Sequence, residues 1–199
     1  MPGRIEIQLP TDRAQPGALL LRDSAGKAVF GPVSAGGIAD QGAANAHGNP
    51  QRSTILPFGD TPTGSYSIEK TVPTGDGTGR SAHSYGTNGA VVLVPTGGDA
   101  LLAAQAGRTG LLIHGGDASP AGGLRATHGC VRLSNANIKG LMDAITFLMI
   151  AEAPPNACGV VQLPSVDVPD GGTIDLTSPP IDDEVDPPPQ DGAAPPILP

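Results

Sequence analysis

The segment from Leu111 to Asn135, LLIHGGDASPAGGLRATHGCVRLSN, concentrates the groups able to do covalent chemistry. It holds His114, then Thr127-His128-Gly129-Cys130, with residues 115–126 between. A free thiol titrates near about 8.5, so little of it is thiolate at neutral pH. A nearby imidazole takes the proton, or holds it and stabilises the thiolate. Gly129 lets a substrate carbonyl approach closely, and backbone N–H groups around Gly129 and Cys130 are candidates to cradle an oxyanion. A cysteine with two histidines in a glycine-rich turn is equipped for acyl transfer through a thioester. Position alone leaves open which histidine is the base. His128 lies two residues from Cys130, so in an extended segment both side chains share a face.

Three plainer readings compete. Cys130 as a small core residue is disfavoured by its neighbours His128, Gly129 and Arg132. His114, His128 and Cys130, with His83, have the right atoms for zinc but lack the usual paired ligand spacing, so no metal or other cofactor is expected. A papain-type peptidase has its cysteine ahead of the base in the chain; here both histidines come first. Elsewhere, His83 with Ser84 and Tyr85 either lines a cleft or is simply a solvated loop histidine, the plainer reading. His47 is expected to do nothing chemical. The run Thr74–Ser81 lacks the lysine and spacing of a phosphate loop. Cys158 reads as core filler, and both thiols are expected to be free.

Positioning these groups requires a β scaffold. Ile5-Glu6-Ile7-Gln8-Leu9 alternates as a half-buried strand does. Residues 18–22 and 27–30 flank Asp23-Ser24-Ala25-Gly26 and predict a hairpin. Residues 34–53 and 73–89, rich in glycine, read as loops. Strands are expected at 65–69, 90–94, 111–113 and 159–163. A short helix is expected from a cap at Asp99 through Ala106. The main helix starts from a cap at Ser134 or Asn135 and buries Ile138, Leu141, Met142, Ile145 and Leu148. The expected domain is mainly β and mostly antiparallel, with one main helix.

Composition bounds the partners. Of 199 residues, 29 are Gly and 22 Pro. Phe30, Phe58, Tyr66, Tyr85 and Phe147 are the only aromatics, and the net charge is −8. Few stacking faces and a deficit of cations argue against nucleic acid. No apolar run is long enough for a transmembrane segment. The acids are unevenly placed. Residues 164–199 carry eight of them, ten prolines and no Lys or Arg, whereas the remainder balances 11 acids against 11 bases. Such a segment cannot bury enough apolar surface to offset its ordering entropy. The organisation expected is therefore a folded domain over 1–163 and a disordered, acidic, Pro-rich tail over 164–199. No secretory signal is visible, since Met1–Arg4 lead straight into the first strand pattern.

A histidine followed at this distance by Ser/Thr-His-Gly-Cys, an apolar residue and Arg resembles the catalytic domain of the L,D-transpeptidases (YkuD-like). Thr61-Pro62-Thr63-Gly64-Ser65-Tyr66-Ser67-Ile68 is similar to the family's "TPTG" strand entry, and the resemblance covers roughly residues 15–163. It implies a β-sandwich and an acyltransferase acting on peptidoglycan stem peptides, by cross-linking or by exchange of the terminal D-amino acid. Cys130 would be the nucleophile and His114 its base, held by the Gly115 carbonyl. His128 and Gly129 would shape the oxyanion site beside Cys130. Arg132 would support the site or meet a substrate carboxylate, with Thr127 and Tyr85 on the substrate side. Carbapenem acylation is implied as well. The alternatives are an L,D-carboxypeptidase, a secreted antibacterial effector of the same fold, or a non-catalytic wall-binding module. The family implies the periplasm or cell wall, whereas the missing signal fits secretion by another route.

Overall fold

The computed structural model describes residues 2–151 and 155–163. The expected tail over 164–199 lies outside the described residues. The fold is mainly β. Its strands are β1 (Arg4–Pro10), β2 (Gly17–Arg22), β3 (Ala28–Ala35), β4 (Gly64–Val72), β5 (Ala90–Gly97), β6 (Leu112–His114), β7 (Val131–Arg132) and β8 (Ala157–Leu163). They form one sheet ordered β3-β2-β1-β8-β4-β5-β6-β7. The pairs β1–β8 and β6–β7 are parallel and the others antiparallel. The last strand therefore runs down the middle of the sheet and joins its two halves.

The sheet curls until its outermost strands meet. Gly36, just past β3, and Arg132 of β7 exchange backbone hydrogen bonds of 2.8 Å in each direction. One curled ladder thereby supplies the packed layers. Ile5, Ile7 and Leu9 of β1 and Leu19 and Leu21 of β2 are fully buried inside it, because every second side chain of a strand faces one side. The β2–β3 turn is held by Asp23, whose Oδ1 accepts from the N–H groups of Ala25 (3.0 Å) and Lys27 (2.8 Å).

Helix α4 (Asn135–Ala151) closes the core with Ile138, Leu141, Ile145 and Leu148. Ser134 caps it, its Oγ accepting from the Asn137 N–H at 3.1 Å. Met142 is only partly buried against this core. Two segments expected as loops contain short helices. α1 (Gln41–Ala46) is capped by Asp40, and α2 (Ala82–Tyr85) by Ser81. Glycine density masked both, yet a side-chain oxygen at each N-cap satisfies an otherwise orphaned amide. Helix α3 (Gly98–Gln105) forms as expected, but Gly97 is its N-cap, with no side-chain cap bond, and Asp99 sits in its first turn.

Few aromatics are available to weld the loops, and buried arginines do so instead. Arg13, Arg108 and Arg132 are each at most 5% exposed and donate to backbone carbonyls. A guanidinium carries five donors in a rigid fork, so one side chain can gather several loop carbonyls.

Candidate active site

Parallel pairing of β6 with β7 brings the two halves of the motif together. Ile113 lies opposite Val131 and His114 opposite Arg132. His114 ends β6 and Cys130 immediately precedes β7. On ideal strand spacing their α-carbons are about 8 Å apart. Both side chains line one open cleft of about 160 Å³, together with Ser84, Tyr85, Thr127, His128 and Arg132. Asp40, Arg125 and Ala126 complete its wall.

His114 is buried, and its Nδ1 lies 2.7 Å from the Gly115 carbonyl. A carbonyl only accepts, so Nδ1 carries the proton and the Nε2 lone pair is left free. Burial pushes the histidine down to about 4; the Gly115 bond opposes this and the Arg132 charge adds to it. His114 is therefore neutral at pH 7. Tyr85 tilts over its ring, centroids 4.8 Å apart. Cys130 is half-buried, its Sγ 3.7 Å from the Gly110 carbonyl. Burial raises its thiol pKa, while the Leu112 amide and the Arg108 and Arg132 charges lower it. The resting pair is thus neutral imidazole and neutral thiol, which suits proton removal during attack rather than a preformed ion pair.

The segment carrying the cysteine is clamped on both sides. Thr127 Oγ1 donates to the Cys130 carbonyl (2.9 Å) and accepts from the Gly129 N–H (3.0 Å). Thr61, first residue of the TPTG run, donates to the carbonyls of Gly129 (3.0 Å) and Cys130 (3.3 Å). Thr127 is also tied through its backbone to Ile38 and Asp40. Gly129 has φ +105°, and a Cβ there would overlap Arg108 Nη2 and the Gly59 carbonyl. The expectation that both amides serve an oxyanion meets a different arrangement, since Thr127 already takes up the Gly129 N–H. Of the two, the Cys130 N–H has no acceptor among the described residues.

Arg132 also differs from a free substrate fork. Its Nη1 donates to the Ser84 carbonyl and its Nη2 to that of Asp117, both at 2.6 Å. It buttresses the cleft by joining α2 to the loop after β6. The positive φ at Gly129 turns the chain between His128 and Cys130 out of the extended form that would place their side chains side by side. His128 is exposed and packs on Phe58 (centroids 5.1 Å), which stacks flat on His47 at 3.7 Å. His47, expected to be idle, is thus part of a stack reaching the cleft. His83 pairs through Nδ1 with Asp117 (2.5 Å), and its Nε2 meets Arg125. It does not itself line the cleft but touches Arg125, which does. Cys158 is buried in the core, its thiol pushed up to about 12 by burial. Both cysteines are free.

Sequence reasoning missed Arg108, buried and in reach of Gly129. Its one signal was a lone cation between the apolar segments of α3 and β6. Among the described residues no three His, Cys, Asp or Glu side chains stand close enough to hold a metal ion. No described helix is long and apolar enough to cross a membrane.

Comparisons with known proteins bear on the same residues. A search of curated proteins found no match. Among solved structures, L,D-transpeptidase 1 of Mycobacterium tuberculosis aligns at 17% identity, over 79% of this chain and 60% of that one, with a TM-score of 0.34. This chain thus spans less than two thirds of that protein's length, and the likeness is too low to carry an argument. The profile of the YkuD L,D-transpeptidase catalytic domain matches residues 18–173, from β2 across both motif segments and beyond β8. With most of its length matched, the chain belongs to the L,D-transpeptidase catalytic domain family.

Proposed function

We propose that this chain is a cysteine-dependent L,D-transpeptidase of peptidoglycan stem peptides. The observation that carries the reading is a neutral His114, its Nδ1 anchored on Gly115 and its Nε2 without a hydrogen-bond partner among the described residues, in one cleft with Cys130. Cys130 Sγ attacks the carbonyl of the L-centre preceding a terminal D-Ala, and its proton passes to His114 Nε2. The Cys130 amide stabilises the oxyanion of the tetrahedral intermediate. His114 returns the proton to the departing D-Ala amine as the C–N bond breaks, leaving a thioester. A side-chain amine of a second stem attacks the thioester carbonyl and gives a proton to His114, which passes it to the released thiolate. Water in place of the amine gives the L,D-carboxypeptidase product. The substrate lies outside the cytoplasmic membrane, and that is where the reaction belongs.

Thr127 and Thr61 hold the nucleophile's segment, Arg132 holds the cleft wall, and His128 and Tyr85 border the bound peptide. Incubation with purified muropeptides, read by mass spectrometry, tests the reaction. Cross-linked or D-amino-acid-exchanged products are expected from the wild type and none from Cys130→Ala. Equal turnover by Cys130→Ala refutes the mechanism. A carbapenem is expected to add covalently to Cys130; a binding module would hold muropeptides without forming any such adduct.

A further inference from the structure

Arg108 lies in the link between α3 and β6, 4% exposed, and no carboxylate among the described residues forms an ion pair with it. Its guanidinium donates only to carbonyls. Nη1 reaches those of Thr54 and Leu56, and Nη2 those of Gly59 (2.6 Å) and Gly129 (3.5 Å). A buried cation is costly unless paired, and removing only its charge would leave its carbonyls half-satisfied. Arg108 reaches the residue immediately before Cys130, at the Gly129 carbonyl. It lies flush against the Gly129 backbone, where only a missing Cβ makes room. It also gathers the loop carrying Phe58, a non-glycine residue at φ +59°, whose ring packs on His128.

We propose that Arg108 is a positioning residue for acyl transfer: its fork orients the Gly129–Cys130 peptide toward the cleft, and its charge stabilises negative charge developing at Cys130. The fork and the charge are separable functions. The fork fixes the Gly129 carbonyl together with Thr61, and so sets where the Cys130 N–H points. The charge acts in a buried setting, where water screens it weakly. Arg108 lowers the Cys130 thiol pKa against the burial that raises it. The other charged or titratable groups facing Cys130 are Arg132, His114, His128, Asp40, Arg125 and Tyr85.

The role in turnover rests on the transpeptidase reading, whereas alkylation of Cys130 does not, so the test uses both. The full chain and Arg108→Gln are titrated with iodoacetamide from pH 6 to 10, with Cys130→Ala as the blank. Arg108→Gln is expected to raise the alkylation midpoint and to slow modification at neutral pH roughly tenfold, the effect of losing one close opposite charge. Arg108→Lys is expected to restore the midpoint but not the rate of acyl transfer, with kcat reduced and KM unchanged. If Arg108→Gln does not fold, judged by near-ultraviolet circular dichroism, Arg108→Lys alone carries the test. An unchanged midpoint in folded Arg108→Gln, or wild-type kcat in Arg108→Lys, overturns the proposal. Shifted alkylation in a chain whose wild type turns over no muropeptide would refute the reaction and leave the stabilisation of charge at Cys130 standing.

Discussion

Acidification should destabilise this protein through His114 in particular, by an amount the structure sets. In the unfolded chain a histidine titrates near about 6.5. In the folded protein burial pushes His114 down to about 4. Between these values the unfolded state binds a proton that the native state refuses, so stability falls as pH falls. The full contribution is present above pH 6.5, and the loss levels off below the folded value. At about 1.4 kcal/mol per tenfold change in proton affinity, the displacement amounts to ~3 kcal/mol. Urea unfolding of wild type and His114→Gln at pH 7.5, 6, 5 and 4 measures it. The other three histidines and all carboxylates are common to both proteins and cancel in the difference. That difference should move by about 3 kcal/mol in favour of His114→Gln on going from pH 7.5 to 4. Parallel stability curves would mean that folded His114 takes up a proton normally, and the neutral-base argument would fail with it.

The acid limb of kcat/KM should follow the same group, so activity should hold level from pH 7 to 5 and fall only toward about 4. A fall centred near about 6.5, the ordinary histidine value, would rule out His114 as the base. Gly129→Ala should lose turnover and more than about 1 kcal/mol of stability, the minimum for a side chain at positive φ; a wild-type melting temperature would contradict the contact with Arg108. Arg132→Gln should cost about 2–5 kcal/mol, as two hydrogen bonds from a buried charge are lost. It should also speed limited proteolysis within residues 117–126, and unchanged cleavage there would refute the buttress.

The candidate site was legible because its residues are local in sequence. His114 and Thr127–Cys130 fall within one short segment, and a thiol, an imidazole and a glycine at that spacing have few other uses. Strand alternation in β1 and the apolar face of α4 were equally plain, since a strand or helix that buries one side must repeat at its own period. Helices α1 and α2 were not, because their glycine-rich surroundings outweighed single capping residues. The contacts of Thr61 and Arg108 were hidden for another reason. Their targets, Gly129 and Cys130, lie far along the chain, and only the β4–β5–β6–β7 order folds the intervening residues back.

From the sequence alone come the candidate nucleophile, the two candidate bases and the β character of the scaffold. Tertiary structure decided the surroundings of each of those groups. Burial at the end of β6, rather than closeness in sequence, makes His114 a neutral histidine with a free Nε2, while a positive φ at Gly129 sends His128 outward onto Phe58. It also turned Arg132 from a candidate substrate ligand into a brace for two loops. Desolvation and hydrogen-bond partners depend on what packs around a side chain, and that packing comes from segments its neighbours in the chain do not specify.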